Sequence, residues 1–119
     1  SSPADRDHII SIFFGGGSYY ISPGENARLQ QFLDEIPNID AYEIEIQGHT
    51  DDIGNREYNL RLSAYRAQAV MDRLVAYPLA PEAMQVLPLG EDAPEFDNGT
   101  WEGKLNNRRV DVILKRVVM

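Results

Sequence analysis

The chain has 119 residues, 43% hydrophobic and 25% charged, the composition of one ordinary globular domain large enough to bury its own core. With 11 Lys and Arg against 19 Asp and Glu, the formal charge is −8, which argues against nucleic acid as a partner because phosphate neutralisation needs clustered cations. The absence of cysteine excludes disulfides, thiolate metal sites and a lipid-bearing cysteine in this sequence, and no apolar run approaches a membrane span.

Residues 1–7 are polar, lack the charged-then-apolar plan of a signal peptide, and are expected to be a flexible N-terminal segment ahead of a domain spanning 8–119. If the protein is exported, a targeting segment has been removed. His8 to Phe14 is a short β-branched and aromatic run closed by Gly15-Gly16-Gly17, which predicts a first strand. Ser22-Pro23 supplies an N-cap and a first-turn proline. Ala27, Leu29, Phe32, Leu33 and Ile36 continue with helical spacing as far as Pro37, so a helix is expected over 23–36.

Tyr42, Ile44 and Ile46 alternate with Glu43, Glu45 and Gln47, the pattern of a strand with one wet face. A polar loop bracketed by Gly48 and Gly54 leads to a second helix, expected from about Arg56 to Ala76, with Ala67, Val70, Met71 and Leu74 as its core stripe. Pro78 and Pro81 are expected to end it. Met84 to Leu89 predicts a third strand and Glu91 to Asn107 a long loop, of a length usually functional or disordered. Val110, Val112 and Leu114 mark a final strand. The predicted class is α+β: a two-layer sandwich of order β-α-β-α-β-β, with two main helices packed on one face of a four-stranded mixed sheet.

The chemistry concentrates in two blocks, Gly48-His49-Thr50-Asp51 through Ala67 and Asn107-Arg108-Arg109-Val110. Asp51 lies in a glycine-bounded loop and Arg66 on the helix that follows, roughly 15 Å along its axis from Arg56. The loop can reach that far. Asn59, Leu62, Ser63 and Arg66 share one helical face at three- and four-residue steps. A carboxylate and a guanidinium side by side suit a ligand that carries both an ammonium and a carboxylate.

On residue types alone, a surface ion pair between Asp51 and Arg66 is the plain alternative. A metal site through His49, Asp51 and Asp52 lacks enough converging ligands; His49 is expected to hydrogen-bond within its loop. A Ser63–His49 nucleophile and base lacks a third group. Thr50 and Asn59 suit loop fixation as well as ligand contact. Arg109 is expected to lean into the same region and Arg108, by strand alternation, to take the opposite face as a solvated or packing residue.

The stretches GHTDDIGNREYNLRLSAYRAQAV (48–70) and Gly90, Pro94, Asn98, Thr100, Gly103 and NRRVDV (107–112) closely resemble the OmpA-like, or OmpA/MotB C-terminal, peptidoglycan-binding domain, and the similarity extends from about Ile9 to Val117. The resemblance implies a β-α-β-α-β-β sandwich whose last strand inserts beside the first. It also implies a non-enzymatic module that holds the diaminopimelate of the peptidoglycan stem peptide and anchors its parent protein to the cell wall. The family's ligand-holding acid and arginine correspond to Asp51 and Arg66, with Thr50, Asn59, Leu62 and Arg109 shaping or supporting the pocket. Location in the periplasm is implied, as part of an outer-membrane or envelope-anchored protein, with no metal or cofactor. The three glycines after the first strand, and Lys104 where an arginine is common, depart from the family pattern at the rim. An envelope protein-interaction or homodimerisation domain without cell-wall binding is the alternative. Loss of sacculus binding on substituting Asp51 or Arg66 is expected, with little change in melting temperature.

Overall fold

Alternation in the strands and helical spacing between them produce a sheet with one covered face. The computed structural model describes residues 7–77 and 79–117; most of the expected flexible segment at 1–7, and the helix-ending role given to Pro78, lie outside the described residues. In chain order the elements are β1 (His8–Phe13), α1 (Pro23–Asp34), β2 (Tyr42–His49), α2 (Arg56–Leu74), β3 (Met84–Gly90), α3 (Trp101–Asn107) and β4 (Arg109–Arg116), with short 3-10 turns at Ile39–Ala41 and Pro81–Ala83. The four strands form one sheet of order β1-β4-β2-β3. Strand β4 is antiparallel to both β1 and β2, and β3 runs parallel to β2. This is the expected α+β sandwich, with the last strand inserted beside the first.

Ile12, Tyr42, Ile44, Ile46, Val110, Val112 and Leu114 point from the sheet into the core, against Leu29 and Leu33 of α1 and Ala67, Val70 and Leu74 of α2. Burying each such aliphatic side chain contributes about 1.5–3 kcal/mol. The expected stripe of α2 is thus the packed one, with Met71 partly buried at its margin. Alternation sends Glu43, Glu45 and Gln47 to the other face, where Glu45 pairs with Lys115 at 2.6 Å.

Helix α1 starts as its sequence dictates: the Ser22 hydroxyl accepts from the Glu25 N–H at 3.3 Å and Pro23 opens the first turn. It then seals the edge of β1. Glu25 Oε2 accepts from the Phe13 N–H (2.9 Å), and Arg28 donates to the Ser11 carbonyl (3.1 Å) and to Glu25 (2.7 Å). These side chains satisfy edge groups that are otherwise open to pairing with another chain. Helix α2 approaches β2 so closely that a Cβ at Gly48 would overlap the Ser63 carbonyl. That contact sets how tightly the second helix sits over the end of β2.

The expected loop over 91–107 is corrected in its second half. Residues 91–100 are irregular, but Trp101–Asn107 is a helix, N-capped by the Thr100 hydroxyl, which accepts from the Gly103 N–H at 3.0 Å. Asn107 ties the loop back to the helix: its Nδ2 donates to the Phe96 carbonyl (2.9 Å) and to Asn98 Oδ1 (2.8 Å), and its Oδ1 accepts from the Phe96 N–H (3.1 Å).

Candidate functional site

Where β2 gives way to α2, residues 50–55 turn back over the helix start. Asn55 caps α2 by accepting from the Tyr58 N–H at 2.7 Å. The Thr50 N–H reaches the Gly90 carbonyl (2.9 Å) and its hydroxyl donates to the Asp51 carbonyl (2.8 Å). Asn59 Nδ2 donates to the Ile53 carbonyl (3.0 Å), the Asp51 carbonyl (3.3 Å) and Glu91 Oε1 (3.1 Å). Both side chains are buried, and both act on the shape of the loop that carries Asp51.

Asp51 itself is 7% exposed. Its Oδ1 accepts from the Ile53 N–H at 3.0 Å and its Oδ2 from Arg108 Nε at 2.6 Å. An ionised carboxylate offers about four acceptor positions, so capacity remains for a third donor. Arg66, 1% exposed, donates from Nε to the Ser18 carbonyl (2.7 Å), from Nη1 to the His49 carbonyl (2.9 Å) and from Nη2 to the Gly15 carbonyl (3.0 Å). It therefore pins the Gly15–Ser18 loop to the end of β2 and keeps two of its five N–H groups. Burial lowers its pKa to about 10, with Asp51 opposing the shift and Arg108 adding to it; it stays charged at neutral pH.

Asp51, Arg66 and Arg108 line one cavity of about 260 Å³, together with Gly16, Gly17, Thr50, Ile53, Gly54, Tyr58, Asn59 and Leu62. Five of the six expected site residues (Asp51, Arg66, Thr50, Asn59 and Leu62) meet there. Arg109 does not. It begins β4 on the face turned from the helices, where its Nε donates to both oxygens of Asp111 (3.0 and 3.1 Å), its Nη2 to Glu95 (3.1 Å), and its guanidinium lies 5.6 Å from the Phe96 ring centroid. Arg108 takes the expected place of Arg109. It is the C-cap of α3, at φ −79° and ψ 72°, so strand alternation does not govern its side chain. The two adjacent arginines do separate to opposite sides, but in the reverse assignment.

His49 also departs from expectation. It is 3% exposed, and neither imidazole nitrogen has a hydrogen-bond partner among the described residues; Nε2 lies 3.7 Å from Asp111 Oδ2. Burial, aided by Arg109, lowers its pKa to about 4, so the ring is neutral at pH 7. The Ser63 hydroxyl donates to the Leu60 carbonyl (2.7 Å) and accepts from the Gly90 N–H (2.9 Å), which engages it away from His49. No group of three or more His, Cys, Asp or Glu among the described residues could hold a metal ion.

These features define a small α+β domain whose charged cavity is built where a strand-to-helix loop meets two buried arginines. The chain belongs to the OmpA family, whose model matches residues 13–108. It is 33% identical over 103 residues to the peptidoglycan-binding protein ArfA of Mycobacterium tuberculosis, covering 87% of this chain and 32% of that protein. It is 39% identical over 102 residues to outer membrane porin F of Pseudomonas fluorescens, covering 86% and 31%. The crystal structure of the peptidoglycan-associated lipoprotein from Burkholderia pseudomallei has the same fold, with a TM-score of 0.80, 32% identity, and 96% and 94% of the two chains covered. The chain thus spans about a third of the length of ArfA and porin F.

Proposed function

We propose that this domain binds peptidoglycan non-covalently through the diaminopimelate of the stem peptide, and so anchors its parent protein to the cell wall from the periplasmic side of the outer membrane. The observation that carries the proposal is that Asp51 and Arg66 line one cavity, of a size suited to an amino-acid head group. The names of the relatives agree: one is a peptidoglycan-binding protein and another a peptidoglycan-associated lipoprotein. Asp51 accepts from the ligand's ammonium, and the remaining donors of Arg66 face its carboxylate. Each such charge-assisted bond contributes about 1.5–3 kcal/mol. Thr50, Asn59 and Leu62 hold the loop and floor. The domain is a binder rather than a catalyst.

The burial of Arg66 changes how the proposal must be tested. Removing its side chain strips donors from the Ser18, His49 and Gly15 carbonyls, so the expected near-constant melting temperature does not suit Arg66. The decisive experiment therefore varies the ligand. Calorimetry with a stem tripeptide ending in diaminopimelate is expected to give saturable binding. The lysine-containing tripeptide lacks the carboxylate, leaves buried donors unpaired, and is expected to bind at least about tenfold more weakly. Equal affinity for the two, or no heat with either, counts against cell-wall binding through this cavity and in favour of a protein-interaction role.

A further inference from the structure

Trp101 is 62% exposed, an unusual position for an indole, yet it is not idle. The Arg108 guanidinium carbon lies 5.2 Å from its ring centroid. A guanidinium over an indole face is held both by the ring's electrostatics and by stacking. The Gly16 backbone also packs close to this guanidinium: a Cβ built on Gly16 would come within 3.3 Å of Arg108 Cζ. The edge of the group is fixed as well, because Nε donates to Asp51 Oδ2 at 2.6 Å. Tryptophan, glycine and carboxylate together hold a flexible side chain in one pose. Arg108 lines the cavity, and its Nη1 and Nη2 make no hydrogen bond to any described residue. What that pose presents is a pair of adjacent donors, the fork that matches a carboxylate.

We propose that Trp101 is a specificity-determining positioning residue: by stacking on Arg108 it keeps the Nη1/Nη2 fork turned to the cavity, so that the site requires a free carboxylate and rejects the corresponding carboxamide. The inference rests on the diaminopimelate reading of the same cavity and deepens it. A carboxamide cannot accept two parallel bonds, and its NH₂ opposes the guanidinium donors. Arg66 has three of its donors committed to backbone carbonyls, so its two remaining N–H groups add to the binding of the carboxylate while Arg108 supplies the discriminating fork. Gly16, in the turn after β1, serves the same arrangement by leaving room beside Arg108.

The test uses two stem tripeptides, ending in diaminopimelate and in diaminopimelate amidated at the side-chain-terminal carboxyl, titrated into the wild-type chain, Trp101→Ala and Trp101→Phe. Wild type is expected to prefer the free acid at least tenfold. Trp101→Ala is expected to lose most of that preference by weakening for the free acid alone, with affinity for the amide unchanged within twofold. Trp101→Phe, which restores a ring face, is expected to recover it. Equal weakening toward both peptides, or none toward either, overturns the proposal, as does a wild type that binds acid and amide alike. A wild type that binds neither peptide overturns the diaminopimelate reading along with it. Because the indole is largely exposed, melting curves of the variants are expected to overlay the wild type.

Discussion

At the scale of single residues, the cavity joins Asp51 and Arg66, 15 positions apart, to Arg108, which comes from the far end of the chain. Thr50 and Asp51 follow from the loop after β2, and Asn59, Leu62 and Arg66 from one face of α2; both are fixed by periodicity within a few residues. Arg108 and Arg109 differ by one position, and which of them enters the cavity depends on where α3 ends and β4 begins. Arg109 is one residue out of phase with the core-facing Val110, Val112 and Leu114, so the alternation of β4 itself directs it away from the helices, a signal that the expectation for Arg109 did not use. His49 carries a consequence that composition hides. Its ordinary pKa of 6.5 falls to about 4 in the folded chain, so on acidification the unfolded chain takes up a proton that the folded one does not. Stability is therefore expected to fall as pH drops from about 6.5 to about 4, by about 3 kcal/mol in all, and this contribution levels off below that window. Urea titrations of wild type and His49→Gln at pH 7, 5.5 and 4.5 measure it. The variant's stability is expected to change less over the interval, and parallel losses in the two proteins would remove His49 as the cause.

At the scale of elements, the long helices and alternating strands were read to within a residue or two, because each is determined by its own repeat. The short third helix escaped. Seven residues containing a glycine and two asparagines have little helical tendency of their own, and α3 depends on tertiary contacts that no local pattern displays. The Thr100 cap was the available signal. Gly103 permits the arrangement, since a Cβ there would overlap the Asp97 carbonyl, and Asn107 locks it through three hydrogen bonds. Asn107→Ala is expected to cost about 2–3 kcal/mol, from partners left unsatisfied in a partly buried setting. Limited proteolysis should then show faster cleavage within 91–100 while the rest of the domain stays resistant. Unchanged cleavage in that segment would mean that the loop is held by other contacts.

At the scale of the whole molecule, the order β1-β4-β2-β3 makes the last of the four strands in chain order a central one, bonded to β1 on one side and β2 on the other. Neither seam exists until β4 arrives, and both pairings join residues far apart in sequence, a topology that folds slowly. A chain ending at Asn107 is expected to show no cooperative thermal transition. A sharp transition in the shorter chain would show that the α2–β3 side is a folding unit by itself. Fold class was readable at this scale because the inserted last strand comes with the family resemblance, while the cavity draws Gly16, Gly17 and Arg108 from segments far apart in sequence, which no local pattern displays. The chain's single tryptophan has a practical corollary. Its indole lies against Arg108, so its near-ultraviolet emission arises from one place, at the lip of the charged hollow. An anion seated on that fixed guanidinium changes the charge beside the indole, which gives the domain an intrinsic optical gauge of occupancy without an attached dye.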